Sequence, residues 1–214
     1  MSTAGPSVLL MARVPRPGHV RRRLTPTLGE AGAAALGAQL IRDAAGWAHA
    51  VAPGRAFVGH DPAEDPAALR PLVGEVTMIG SATVVDAVAE VLQAAPAPLL
   101  VVWPELAVWR PGSAEGAVAD LHDGCDLVLG PLIEGGFYLL AVNRPRSGAL
   151  AAAEHDWRVE DAMQRGFATA QEAGLELGLL RTERGLRRAA DVRAALADPC
   201  LPAVIRQLLS RPGV

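Results

Sequence analysis

The chain has 214 residues, half of them apolar, with 20 basic and 23 acidic side chains and a formal net charge of −3. That length can bury a full-sized core, so residues 1–214 read as one domain, and the near-balance of charge excludes a nucleic-acid binder held by a general positive field. All 20 basic residues are arginine, which excludes Schiff-base chemistry, a pyridoxal phosphate anchor and a P-loop lysine.

In chain order, Ser7 to Ala12 (SVLLMA) reads as a short buried strand and Glu30 to Val51 as an Ala-rich helix. Between them lies a loop broken by Pro15, Pro17 and Gly18. It carries Arg13, Arg16, Arg21, Arg22 and Arg23, five guanidinium groups within eleven residues. A strand, a basic glycine-containing turn and a helix are the usual means by which an α/β sheet holds phosphates. A guanidinium pairs bidentately with phosphate at about 1.5–3 kcal/mol per charge-assisted bond. A bare run of three arginines reads more readily as a solvated helix start; the prolines and glycine just upstream favour an anion-binding loop.

Further strands are expected at Arg55 to Gly59, Glu75 to Ile79 and Leu99 to Trp103, with helical stretches near Ala63 to Leu69 and Thr83 to Ala95. The segment Asp61 to Pro66 reads as a surface loop. Asp126 to Gly130 predicts a fifth strand. Gly136 to Val142 predicts a sixth, following too closely for a helical crossover and so expected to be antiparallel. The remainder offers helices near Val159 to Ala173, Asp191 to Ala197 and Leu201 to Leu209, and a short strand at Leu175 to Leu180. This alternation predicts a three-layer α/β/α fold with a mixed, mostly parallel central sheet.

Ligands of such sheets collect outside the carboxyl ends of the parallel strands. The arginine loop, Pro104-Glu105 and the Leu132 to Gly136 turn all fall there. Glu105 and Glu134 are therefore candidate metal ligands or general bases, each with the alternative of a helix cap or surface charge. Gly135 and Gly136 let the backbone approach a substrate. Trp103 and Trp109 read as core or lid packing rather than base stacking, and His19 is the histidine that falls in the expected site. Cys125 and Cys200, with no partner at zinc spacing, read as buried or incidental thiols in a reducing compartment. The sequence contains neither an 18-residue apolar run nor a basic-then-apolar leader, so a soluble, cytoplasmic protein with no membrane or nucleic-acid partner is expected.

Two motifs carry a resemblance that spans essentially the whole chain. Ala12, Arg13, Pro15, Gly18, Val20, Arg21, Arg23 and Leu24 match the pattern Ala-Lys-x-Pro-x-x-Gly-x-Val-Lys-Thr-Arg-Leu, with arginine for lysine and Arg22 for the threonine. Gly130, Pro131, Gly135, Gly136, Tyr138 and Leu139 match Gly-Pro-x-x-Asp-Gly-Gly-Tyr-Tyr-Leu, with Glu134 for Asp and Phe137 for the first Tyr. The chain thereby resembles a bacterial family with the glycosyltransferase-A-like nucleotide-diphospho-sugar transferase fold, often ascribed to arsenosugar biosynthesis. The phospholactate and molybdenum-cofactor guanylyltransferases are more distantly similar.

The resemblance implies a glycosyl or nucleotidyl transferase that uses a nucleotide sugar or nucleoside triphosphate and a small acceptor. Ala12, Arg13, Gly18, Arg21 and Arg23 would bind the nucleotide diphosphate, Gly135 and Gly136 would contact the acceptor, and Glu134 would act beside it as a base or orienting group. Glu105 would hold a divalent metal, Mg²⁺ or Mn²⁺, or the nucleotide hydroxyls. The departures bear on that metal. The family's Gly-Ser-Asp-Cys-Pro is Trp103-Pro104-Glu105-Leu106-Ala107 here, its Gly-Asp-Leu-Gly-x-Arg is Gly80 to Val85, and its Asp-Val-Asp is Gly185-Leu186-Arg187. Glu for Asp moves the carboxylate by about 1.5 Å, against a metal-ligand tolerance of about 0.2 Å. Arg187, if it faces the site, would supply positive charge to a leaving diphosphate. A degenerate, non-catalytic nucleotide-binding or scaffold member is the alternative.

Overall fold

Seven strands form one sheet in the computed structural model, which describes residues 5–95, 98–143 and 161–210. The strands are β1 (Ser7–Met11), β2 (Ala56–His60), β3 (Thr77–Gly80), β4 (Leu99–Val102), β5 (Leu127–Pro131), β6 (Phe137–Val142) and β7 (Leu177–Leu179), in the spatial order β3-β2-β1-β4-β6-β5-β7. All neighbours are parallel except β6, which runs antiparallel between β4 and β5. The expected mixed, mostly parallel sheet is therefore present, and its sixth strand runs in the expected direction.

Helices lie on both faces because the inner strands are almost wholly apolar, as strands buried on two sides must be. Leu99, Leu100, Val101 and Val102 of β4 are all fully buried. Their side chains alternate between two cores. Val8, Leu10, Leu100 and Val102 pack with Ile41, Ala44, Ala45 and Ala48 of α1 (Thr25–Val51) and with Ala114, Ala117 and Leu121 of a helix at Pro111–His122. Leu9, Leu99, Val101 and Leu140 pack on the other side with Ala87, Val88 and Val91 of a helix at Val84–Ala94 and with Ala162 of one at Ala162–Glu172. Burying each of these leucines and valines contributes about 1.5–3 kcal/mol.

In chain order these helices are α3 (Val84–Ala94), α4 (Pro111–His122) and α5 (Ala162–Glu172), with a short α2 (Arg70–Val73) before them and α6 (Ala189–Ala197) and α7 (Ala203–Leu209) after. A third cluster joins Leu36 and Leu40 of α1 to Val192, Ile205 and Leu209 of the last two helices.

Several boundaries differ from the expectations. The long helix begins at Thr25 but breaks at Gly29 (φ 69°, ψ 167°), so its regular part starts at the expected Glu30. The stretch expected near Ala63 to Leu69 is a 3-10 turn at Pro66–Ala68 followed by α2. Its start is set by Asp65, whose side chain accepts from the Ala67 N–H. Helix α4 is not predicted by the pattern at all: Gly112 and Gly116 dilute it, and its buried face is mostly alanine. Val159, the expected start of α5, lies outside the described residues. Neither thiol is buried: Cys125 is half-buried and Cys200 exposed. No described helix is long and apolar enough to cross a membrane.

Candidate functional site

The carboxyl ends of β1, β2, β3 and β4 open into a cleft of about 1130 Å³, large enough for a nucleotide and an attached group. Its walls are the loops that leave those strands. After β1 the chain cannot turn directly into α1, because Pro15, Pro17 and Gly18 interrupt it; it crosses the sheet edge as an open loop instead. That loop is tied down at Val14, whose N–H donates to Glu64 Oε2 at 2.8 Å. Gly18 adopts φ 76°, where a side chain would be strained, and an added β-carbon would lie 3.3 Å from the Glu30 carboxylate, which would have to shift slightly.

Arg21 is the one described non-glycine residue with positive φ (50°), an uncommon conformation that turns its side chain inward. The guanidinium donates to Glu105 Oε2 at 2.6 Å, to the Leu186 carbonyl at 3.0 Å and to the Pro104 carbonyl. Arg21 and Glu105 are only 11% and 14% exposed. Glu105 itself follows β4 and is held by its backbone, its N–H donating to the Trp103 carbonyl and its carbonyl accepting from the Leu186 N–H.

Arg13, Arg22 and Arg23 line the cleft with exposed side chains, and Arg187 enters it from the strap between β7 and α6. Arg187 is positioned from behind: Nη1 donates to the Gly135 carbonyl at 2.8 Å, and its backbone N–H donates to the buried Asp191 carboxylate at 3.1 Å. Asp191 also accepts from the Arg188 N–H and from Arg184, and Glu134 accepts from the Gly185 N–H. Two carboxyl groups thus shape the strap. Among the described residues the cleft presents five arginines (Arg13, Arg21, Arg22, Arg23, Arg187) against Asp61, Asp86 and Glu105, an excess of two positive charges.

Of the residues singled out in the sequence, Ala12, Arg13, His19, Arg21, Arg23, Trp103 and Glu105 line this cleft. Gly18 does not, and neither do Glu134, Gly135 and Gly136. The last three form the β5–β6 turn, where Gly135 and Gly136 have φ of 85° and 81° and the Leu132 N–H donates to the Gly136 carbonyl. That turn reaches the cleft through Arg187. The Glu134 side chain is 5% exposed. Burial, together with a hydrogen bond to Asp191 and its negative charge, raises the Glu134 carboxyl above its ordinary 4.5.

The sequence reading missed His60, Asp61 and the Ser81 to Asp86 loop, which line the cleft from β2 and β3. Thr83 caps α3, accepting from the Asp86 N–H at 3.1 Å and donating to its carboxylate at 2.7 Å. The Thr-x-x-Asp spacing was legible, and the strand-end rule applied to β2 and β3 would have found all of these.

No protein-family profile and no curated protein matches the chain. Solved structures share its fold. A protein of Desulfovibrio desulfuricans G20 ascribed to the nucleotide-diphospho-sugar transferases superposes with a TM-score of 0.79 at 19% identity, over 95% of this chain and 93% of that one. A CMP:2-keto-3-deoxy-manno-octonic acid synthetase, solved with CTP, gives 0.54 at 12% identity, over 90% and 97%. A Mycobacterium tuberculosis H37Rv protein in complex with manganese gives 0.50 at 12%, over 89% and 97%. The chain therefore has the nucleotide-diphospho-sugar transferase fold.

Manganese in one neighbour raises the question of a metal here. Among the described residues no group of three His, Cys, Asp or Glu side chains is placed to hold one, and Glu105 directs Oε2 to a guanidinium. Among the described residues, the cleft's carboxylates Asp61, Asp86 and Glu105 do not assemble into such a group.

Proposed function

We propose that the chain transfers a glycosyl or nucleotidyl group from a nucleotide-activated donor to a small acceptor, with the donor's phosphates held in the arginine-lined cleft. The observation that carries this reading is the convergence of Arg13, Arg22, Arg23 and Arg187 at the carboxyl edge of a sheet with this fold. Neighbours of that fold are described as nucleotide-diphospho-sugar and CTP-using proteins.

In this reading Ala12 and Gly18 keep the loop backbone close to the donor, and Arg13 and Arg23 pair with phosphate oxygens. As the bond from the transferred group to the leaving phosphate oxygen breaks, negative charge grows on the leaving group. A guanidinium already held there, as Arg187 is, stabilises it with little reorganisation. Arg187 is the best fixed of the four, through Gly135 and Asp191. Glu105 holds Arg21 in place rather than accepting a proton. Gly135, Gly136 and Glu134 orient the acceptor side by shaping the strap that carries Arg187.

A second reading, a nucleotide-binding member without turnover, is favoured by Glu105 being engaged with Arg21 and Glu134 lying behind the cleft. Thermal unfolding with a panel of nucleotides and nucleotide sugars, run beside an assay for nucleoside diphosphate or pyrophosphate release, separates the two. A ligand present at 100 times its Kd raises stability by about 2.7 kcal/mol. Stabilisation with release that Arg23→Ala abolishes supports the transferase. Stabilisation without release supports the binding protein. No stabilisation by any compound sinks both.

A further inference from the structure

Glu105, the residue for which the resemblance implies a metal, already has a cation as its partner. We propose that Arg21 takes the place of a divalent ion in this cleft, so that a nucleoside diphosphate is bound by guanidinium groups alone. The inference rests on the nucleotide-binding reading above.

Three features of the geometry carry it. First, the Arg21 guanidinium gathers three oxygens, Glu105 Oε2 and the carbonyls of Pro104 and Leu186. Oxygen donors of this kind would otherwise suit a hard cation. Second, the arrangement is built in. The left-handed backbone at Arg21, the bridge between Leu106 and Gly185 and the bond from the Leu186 N–H to the Glu105 carbonyl hold both sides of the pair. The planar guanidinium presents its donors in a fixed fork, which suits several acceptors held at set positions. Third, the charge has the right sign. With Glu105 neutralised by Arg21, the remaining side chains leave the cleft with two surplus positive charges. A nucleoside diphosphate carries about −2.5 to −3 at pH 7, about −1.5 to −2 of it on the terminal phosphate, so this surplus offsets most of the ligand's charge.

Arg21 Nη1 spends its two protons on Glu105 and Leu186, and Nη2 spends one on Pro104. Of the five guanidinium protons, the second on Nη2 and the one on Nε remain to meet a phosphate oxygen. A fixed, partly desolvated donor of this kind does what a bound ion does for a diphosphate, and it needs no ion to be recruited.

The test is calorimetric titration of the full chain with ADP, CDP, GDP, UDP and dTDP, each in excess EDTA and again in Mn²⁺ or Mg²⁺. At least one should bind in EDTA, with Kd changed by less than about threefold on adding metal, and Arg21→Ala should weaken that binding by about tenfold or more. Arg187→Gln, which leaves the Arg21 cluster intact, should also weaken binding in EDTA. Binding seen only with metal overturns the inference and leaves the nucleotide-binding reading standing. No binding under either condition overturns both. A folded Arg21→Ala that binds in EDTA like the unmodified chain also overturns the inference; should that variant not fold, the EDTA arm on the unmodified chain decides.

Discussion

Arg21 shows how much one residue can fix. Replacing it by alanine strands a largely buried carboxylate and two carbonyls, so the expected stability loss is about 3 kcal/mol, measured by urea unfolding. Glu105→Gln keeps an acceptor for the guanidinium and should cost less; an equal or larger loss would show that the pair is not organised as described. Glu134 makes a separate prediction. Its carboxyl titrates higher in the folded chain than in the unfolded one because it is buried beside Asp191, although Arg184 lies 3.6 Å away. The folded state therefore binds that proton more tightly, and stability falls as pH rises from about 4.5 through the folded-state value. Glu134→Gln should lack this decline and be at least as stable as the unmodified chain at neutral pH, which thermal unfolding across a pH series would show. The arginines of the loop were legible in the sequence because Pro15, Pro17 and Gly18 mark it as a turn. The partnership of Arg21 with Glu105 was not, because it joins residues 84 apart in sequence through a backbone conformation that arginine rarely adopts.

Among the elements, the β5–β6 hairpin is the most constrained. A β-carbon on Gly130 would lie 2.6 Å from the Tyr138 ring, and that ring is wedged against Trp109 with its hydroxyl donating to the Arg181 carbonyl. Gly130→Ala should therefore cost about 1–3 kcal/mol by overpacking, despite adding one methyl group to a strand. A stability change under 0.5 kcal/mol in denaturant unfolding would contradict this. The hairpin was readable because Gly136 to Val142 follows Gly130 too closely for a helix to intervene. Helix α4 was not readable. Its contact with the sheet uses Ala114, Ala117 and Leu121, and two small residues give little periodic contrast beside its glycines. The third strand shifted for a similar reason: Glu75 and Val76 resemble strand, but pairing with β2 runs from Thr77 to Gly80.

Across the whole molecule, the sheet divides two apolar layers, and the C-terminal helices close the end of α1 nearest the arginine loop. Leu24, at the end of the 3-10 turn Arg22–Leu24 that carries two of the arginines, packs with Leu36, Leu186 and Ile205. The loop and the strap are thus coupled to α7. Ile205→Ala, at a fully buried site, should cost about 2–5 kcal/mol and should also weaken ligand binding, though Ile205 does not itself line the cleft; unchanged binding at a temperature where the variant is folded would contradict that coupling. Fold class and site edge were legible because alternating strands and helices dictate where ligands collect. The charge balance of the cleft was not, since it depends on which loops meet. The most direct measurement is a crystal structure of the chain with a bound nucleoside diphosphate. The account predicts both phosphates between the arginine loop and Arg187, within hydrogen-bond distance of Arg13 or Arg23. A diphosphate bound elsewhere on the molecule, with those side chains untouched, would contradict it.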